Sequence, residues 1–184
     1  MPTDAALLII DAQVAILDGE TPAHARDEVL AHIGELLAGA RAAGVPVVYV
    51  QHDDATYEPM TPGNPGWQIH PAVAPLPGER VVRKRACDAF YGTPLRAELD
   101  VLGVTRLVVA GCETDYCVDT TVRRALSLDY DVVLAADAHT TTSGSDGGNG
   151  LTAAQIITHH NATLAGFSNP TREVVVKPTS EIAF

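Results

Sequence analysis

The sequence predicts an α/β domain built on a mostly parallel, doubly wound sheet of six strands with helices on both faces. Three observations predict it. Six short aliphatic or β-branched runs alternate with helical stretches along the chain. These runs are apolar almost throughout rather than at every second residue, which is the pattern of strands buried on both faces. The length of 184 residues suits one domain, spanning 1–184, with a core that needs no staples.

The elements follow in order. Residues 5–10 (AALLII) are too short for a helix and read as a buried strand ending at Asp11. Over 24–44 the pattern turns helical: Val29, Ile33, Leu36, Leu37 and Ala40 recur at helical spacing and Gly44 closes the run. Residues 45–51 (VPVVYVQ) form the second strand. Residues 52–78 hold Trp67 and six prolines, a long irregular excursion of the kind that carries function in compact domains. A short third strand covers 80–83 (RVVR). A helix covers 94–102, with Thr93 as its cap and Pro94 in its first turn. The fourth strand is 105–110 (TRLVVA), followed by a helix over 114–128. The fifth strand is 131–136 (DVVLAA), followed by a helix over 152–165, and the last strand is 172–177 (REVVVK). Residues 140–150 (TTTSGSDGGNG) read as a mobile polar loop. The crossovers between parallel strands are expected to be right-handed.

Composition excludes several functions. With 12 Lys+Arg against 23 Asp+Glu the net charge is −11, which speaks against nucleic acid and against an anionic membrane surface as partners. The start of the chain lacks the basic and long apolar segments of a signal peptide, and no run approaches the ~20 apolar residues of a membrane span. Three cysteines, Cys87, Cys112 and Cys117, do not make a disulfide framework and read as thiols of a reducing, cytoplasmic compartment.

In open α/β sheets ligands bind beyond the carboxyl ends of the strands, so the residues after each strand are the candidates. They are Asp11 and Gln13; His52, Asp53 and Asp54; Lys84 and Arg85; Gly111 to Cys117; and Asp137 with His139. Cys117 stands out. If Thr114 caps the following helix, Cys117 is its third residue, where backbone N–H groups favour a thiolate. A neighbouring Lys84 would lower the thiol pKa further, and Asp11 would serve as general base or hold Lys84 in place. The alternative for a single cysteine is plain core packing, which is also the reading for Cys87 and Cys112. Weaker signals point elsewhere. His52, Asp53, Asp54 and His70 match no strong metal motif and read as solvated loop residues. In Arg83-Lys84-Arg85, Lys84 alone turns inward. His159 and His160 read as structural or surface residues of a helix, and Gly-Gly-Asn-Gly at 147–150 lacks the phosphate-loop pattern.

Three segments, LLIIDAQ (7–13), VVRKRACDAFYGTPL (81–95) and GVTRLVVAGCETDYCVDTTVRRAL (103–126), resemble the isochorismatase-like cysteine hydrolases. The resemblance covers almost the whole chain, and the pattern Gly111, Thr114, Cys117, Val118 is specific. It implies a three-layer α-β-α fold and a catalytic trio of Asp11, Lys84 and Cys117. It also implies a non-proline cis peptide at Cys112-Glu113, aiming the backbone N–H groups of Glu113 and Cys117 at a developing oxyanion. Family members are often homo-oligomers, dimers or larger. Residues 52–71, 88–95 and 129–141 resemble the streptothricin hydrolase branch, which opens a lactam amide. Nicotinamidases bind a metal through an Asp-x-His pair. Here neither Asp53 nor Asp54 has a His two residues on, so no metal and no cofactor is expected. True isochorismatases cleave a vinyl ether and can dispense with the cysteine, so its presence favours acyl transfer.

The expected reaction is hydrolysis of a C–N bond, amide or lactam, in a small molecule through a thioester. Alternatives are nicotinamidase-type or isochorismatase-type hydrolysis, or a redox-active thiol at Cys117 with Cys112 or Cys87 resolving. Trp67, Phe90 and Tyr91 are expected as apolar pocket walls and Gln13 as a polar contact. Glu113, at the rim of an acidic protein, points to a cationic or amine-bearing amide unless a protein arginine pairs with it.

Overall fold

The computed structural model describes residues 4–144 and 150–184. Six strands form one sheet in the order β3-β2-β1-β4-β5-β6, every neighbouring pair parallel. They are β1 (Ala5–Ile10), β2 (Val47–His52), β3 (Arg80–Lys84), β4 (Arg106–Cys112), β5 (Asp131–Thr140) and β6 (Val174–Lys177). Among the described residues five α-helices accompany them: α1 (Val14–Leu17), α2 (Arg26–Ala42), α3 (Leu95–Val101), α4 (Asp119–Ser127) and α5 (Ala153–Leu164). The sheet is doubly wound, as its apolar runs predict. Along β1, Ala6, Leu8 and Ile10 enter one core with α3 and α4, while Ala5, Leu7 and Ile9 enter the other with α2. Both faces are dry, so the strand has no polar face to alternate with.

The chain leaves β1 toward β2 and β3, then crosses to β4 on the other side of β1. The order therefore reverses between β1 and β4, and their carboxyl ends diverge into a crevice. The excursion between β2 and β3 is irregular as expected, folded into three short 3-10 turns at Glu58–Met60, Pro65–Trp67 and Pro71–Val73.

Three expectations need correction. The first is β5, which runs on to Thr140, so Asp137 and His139 lie within it and not beyond it. Its register against β4 shifts between Val109 and Gly111, and the pairing resumes at Gly111–His139. The second is the predicted helix over 114–128, which is two pieces: a π-type turn at Thr114–Val118 and then α4. The third is α1, which the sequence reading missed because four residues carry too little periodicity. The predicted loop at 140–150 falls partly outside the described residues, which exclude 145–149. No helix among the described residues is long and apolar enough to cross a membrane.

Gly111 is where β4 touches β1. Its φ is +120°, and a Cβ there would lie 2.0 Å from the carbonyl oxygen of Ile10. Gly44 also has a positive φ, at +69°, but open space around it. Gly111→Ala is therefore expected to cost about 3 kcal/mol or more, against about 1–2 kcal/mol for Gly44→Ala. Denaturant unfolding of the two variants checks the contrast, and equal losses would contradict it.

Candidate active site

The crevice brings Asp11, Lys84 and Cys117 together. Asp11 follows β1 with φ +46°, a left-handed conformation that Asp tolerates better than most residues. Lys84 ends β3, and Cys117 sits in the π-type turn after β4. The Lys84 ammonium is fully withdrawn from solvent and lies 2.6 Å from Asp11 Oδ2. It donates to Cys117 Sγ at 3.1 Å and to the carbonyl of Ala86 at 3.0 Å. Its fourth neighbour is His52 Nδ1 at 2.8 Å, which the register of β2 on β3 sets directly opposite Lys84. Neither Asp11 oxygen has a well-directed hydrogen bond, so the Asp11–Lys84 contact acts as an ion pair.

Burial opposes charge on Lys84, but Asp11 and Cys117 outweigh it and hold the ammonium above the usual lysine range. The thiol behaves differently from the sequence expectation. Burial first, then the Asp11 carboxylate, push the Cys117 pKa up, and Lys84 only partly offsets them. Cys117 therefore rests as a thiol beside a carboxylate, not as a preformed thiolate. His52 is held below its usual value by burial and by Lys84, against Asp11, Asp54 and Asp53.

The turn that presents Cys117 is not capped by Thr114. Glu113 occupies the cap position, and the Cys112-Glu113 peptide is cis. Thr114 Oγ1 instead meets His139 Nδ1 at 2.8 Å, and His139 Nε2 meets Asn161 Oδ1 at 2.9 Å. Asn161 donates its own N–H to Ala136 O, so its oxygen faces the ring and the imidazole proton sits on Nε2. His139 thus ties β5, the Cys117 turn and α5 together. Burial pushes its pKa down to about 4.

A cavity of about 400 Å³ opens above the trio. Asp11 and Cys117 reach its floor, beside His52 and Cys87. Ile16, Met60, Tyr57 and Tyr116 supply apolar wall, and Glu20, Asp54 and Glu113 supply carboxylates. Glu113 is the one member of the expected substrate set on this lining. Its Oε1 accepts from the backbone N–H of Thr142 at 3.0 Å and from the Thr142 hydroxyl, where an arginine partner was the alternative. The other four lie elsewhere. Trp67 donates to Asp53 and stacks with Arg83. Phe90 is buried against Tyr130, ring centroids 5.9 Å apart. Tyr91 is 73% exposed and borders a separate depression with Arg83 and Arg85. Gln13 is a buried clamp that bonds the backbone of His52 and the carbonyl of Trp67. Tyr57, Met60 and Tyr116 went unsingled in the sequence because a lone aromatic or Met in a turn carries no periodicity. Cys112 belongs to the opposite core from Cys117.

The weaker signals resolve structurally. Asp53 pairs with Arg83 at 2.7 Å, Asp54 accepts from Thr56 and Tyr57, and His70 meets Asp18 at 3.1 Å. His159 and His160 pack edge to face on α5. Asp11, His52 and Cys117 do present donor atoms within 4.8 Å of one another, but the Lys84 ammonium already stands among them as a fixed cation.

A doubly wound parallel sheet with a buried cysteine, lysine and aspartate at its switch point is the arrangement of a hydrolase family. The family model of the isochorismatase domain matches residues 5–165, and the chain belongs to the isochorismatase family. It is similar to a streptothricin hydrolase of Streptomyces noursei, 45% identical over 136 residues, covering 74% of this chain and 49% of that protein. It is also similar to a ureidoacrylate amidohydrolase of Methylobacterium radiotolerans, 33% identical over 139 residues, covering 60% and 54%. The chain thus spans about half the length of these curated relatives. Among solved structures, a cysteine hydrolase from Pseudomonas syringae pv. phaseolicola superimposes with a TM-score of 0.84 at 25% identity. That match covers 98% of this chain and 92% of the other.

Two outcomes follow from the electrostatics. Asp11→Asn removes the carboxylate that disfavours the thiolate, so alkylation of Cys117 is expected to begin at lower pH in this variant. Lys84→Met is expected to shift it to higher pH. Identical iodoacetamide pH profiles in wild type and both variants would contradict the charge assignment. His139 stays neutral in the fold and charges readily when unfolded, near its ordinary pKa of ~6.5. Its contribution is therefore present above that value and is lost as pH falls toward about 4. The window amounts to on the order of 3 kcal/mol. Stability measured against pH should lose that part of its acid dependence in His139→Gln, and an unchanged slope would count against it.

Proposed function

We propose that the chain hydrolyses a C–N bond, an amide or lactam, in a small cationic molecule through a thioester on Cys117. The observation that carries this reading is the convergence of Asp11, Lys84 and Cys117: Asp11 and Cys117 line one cavity, and the buried Lys84 ammonium contacts both from behind it. Substrate binding brings a carbonyl carbon to Sγ. The thiol proton passes to Asp11, the sulfur attacks, and the oxyanion forms against the backbone N–H groups of Glu113 and Cys117. One such donor is worth ~10²–10³ in rate. The C–N bond breaks as Asp11 returns the proton to the leaving nitrogen. Asp11 then takes a proton from water, the oxygen attacks the thioester carbonyl, the C–S bond breaks, and Asp11 returns the proton to the Cys117 sulfur as the acid leaves. General acid–base help of this kind adds ~10²–10⁴. Lys84 balances Asp11 before transfer and the thiolate after it.

The substrate class rests on the cavity's charge. Its lining carries Asp11, Glu20, Asp54 and Glu113 and no arginine or lysine among the described residues. Hydrogen bonds from Thr56 hold Asp54 below the usual carboxylate range, so it is charged at ordinary pH. Glu113 spends Oε1 on Thr142 and Asp54 spends Oδ1 on Thr56 and Tyr57, so the second oxygen of each, with Glu20, meets an amine in the cavity. A streptothricin-type lactam has that chemistry, and the similarity to a streptothricin hydrolase supports it.

The test is turnover of a cationic lactam and a neutral amide, with a rapid quench and mass analysis of the Cys117 peptide. An acyl adduct on Cys117, no turnover in Cys117→Ala, and activity that survives chelators are expected. Asp54→Asn is expected to raise KM for the cationic substrate alone. Turnover by Cys117→Ala, or chelator inhibition reversed by zinc, would overturn the mechanism. Equal KM changes on both substrates would overturn the charge reading.

A further inference from the structure

The Lys84 ammonium has three hydrogens but four acceptors: Asp11 Oδ2, His52 Nδ1, Ala86 O and Cys117 Sγ, at 2.6, 2.8, 3.0 and 3.1 Å. One acceptor is always in excess. The Ala86 carbonyl is backbone and does not leave. His52 is nearly as fixed. Its backbone N–H donates to Gln13 Oε1 at 2.8 Å, and its carbonyl accepts from Gln13 Nε2 at 3.0 Å. Gln13 is itself fully buried. An ammonium cannot receive a hydrogen bond, so Nδ1 must carry a lone pair. The ring is then neutral, with its proton on Nε2.

We infer that His52 is a positioning residue that keeps one Lys84 hydrogen permanently occupied, so that Asp11 and Cys117 compete for a single remaining N–H. Before reaction that N–H points at Sγ, Asp11 is held by ion pairing without a directed hydrogen bond, and the thiol keeps its proton. When the S–H bond breaks and an O–H bond forms on Asp11, the electron pair stays on sulfur and the N–H already aimed at sulfur holds the thiolate. The competition is exclusive because His52 and Ala86 hold the other two hydrogens. Without His52, Lys84 would serve both partners at once, and the thiolate would be stabilised before any substrate arrived. The depressed His52 pKa agrees with a neutral ring. The charged groups facing His52 are Lys84, Asp11, Asp53 and Asp54. Those facing Cys117 are Asp11 and Lys84, and Glu113 borders the same cavity.

The inference takes its trio from the proposed mechanism, but its test needs no turnover, so the two fail separately. Long-range ¹H–¹⁵N spectra of the wild-type protein should show His52 as the Nε2–H tautomer across roughly pH 5 to 9. An Nδ1–H tautomer or an imidazolium would overturn the assignment. The alkylation midpoint of Cys117 should move down by about one pH unit or more in His52→Leu, because a Lys84 hydrogen is released to Asp11 and weakens the charge that opposes the thiolate. His52→Asn, whose Oδ1 can accept from Lys84, should return it to the wild-type value. A purely structural role predicts the reverse sign for leucine, since a more apolar wall raises a thiol pKa. An unchanged or higher midpoint in His52→Leu, or an asparagine variant that matches leucine, would overturn the inference. If the leucine variant fails to fold, the wild-type spectra decide.

Discussion

The burial of one ammonium organises this site. Removing Lys84 from water costs several kcal/mol, and breaking a buried pair leaves an uncompensated charge worth about 3–5 kcal/mol. The cost is offset by acceptors drawn from four places: the ends of β1 and β2, the segment after β3, and the turn after β4. Each must arrive within about 3 Å of one nitrogen. That requirement links the registers of β2 on β3 and of β1 on β4, and it accounts for the tight fit of Gly111 against Ile10. It also accounts for Gln13, a buried polar side chain whose hydrogen bonds are all spent on holding His52 and the chain near Trp67.

Much of this was legible in the sequence. Apolar runs buried on both faces locate the strands, and the strands locate their ends. Asp11, Lys84 and Cys117 follow strands that the switch-point rule brings together. What the sequence hid is equally physical. The boundary of β5 was lost because Asp137 breaks the apolar run, although its carboxylate is satisfied by Thr179 and the strand continues. Thr114 has the chemistry of a cap, but its hydroxyl is taken by His139, a partner 25 residues away. Trp67, Phe90 and Tyr91 were expected on the pocket wall as the aromatics of segments 52–78 and 87–92. Two of them are satisfied by partners distant in sequence, Asp53 with Arg83 and Tyr130. Local pattern does not report such contacts.

His139 and His52 show how a neutral imidazole is used twice in one site. Both rings are fixed in one tautomer by a donor on Nδ1, the Thr114 hydroxyl in one case and the Lys84 ammonium in the other. His139 is spent entirely on structure, with Nε2 closed by Asn161. His52 keeps its other edge beside the cavity. The difference lies in depth: β5 is covered by α5 where His139 sits, whereas the end of β2 opens on the crevice.

The raised thiol pKa is compatible with a nucleophilic cysteine once the destination of the proton is considered. A pKa measures release to bulk water, which leaves the buried site with one more negative charge, next to Asp11. Transfer from Cys117 to Asp11 is different, because the site's net charge does not change. Before transfer the site holds an ammonium and a carboxylate; after it, the same ammonium and a thiolate. The desolvation that opposes a second anion applies about equally to either single one. The internal equilibrium is then set by which anion the one available Lys84 hydrogen serves, and by what the cavity contains. A carbonyl placed against Sγ favours the thiolate, because the sulfur electron pair has somewhere to go. Under the proposed mechanism the site therefore holds its thiol protonated at rest and still delivers a thiolate to a substrate that fills the cavity.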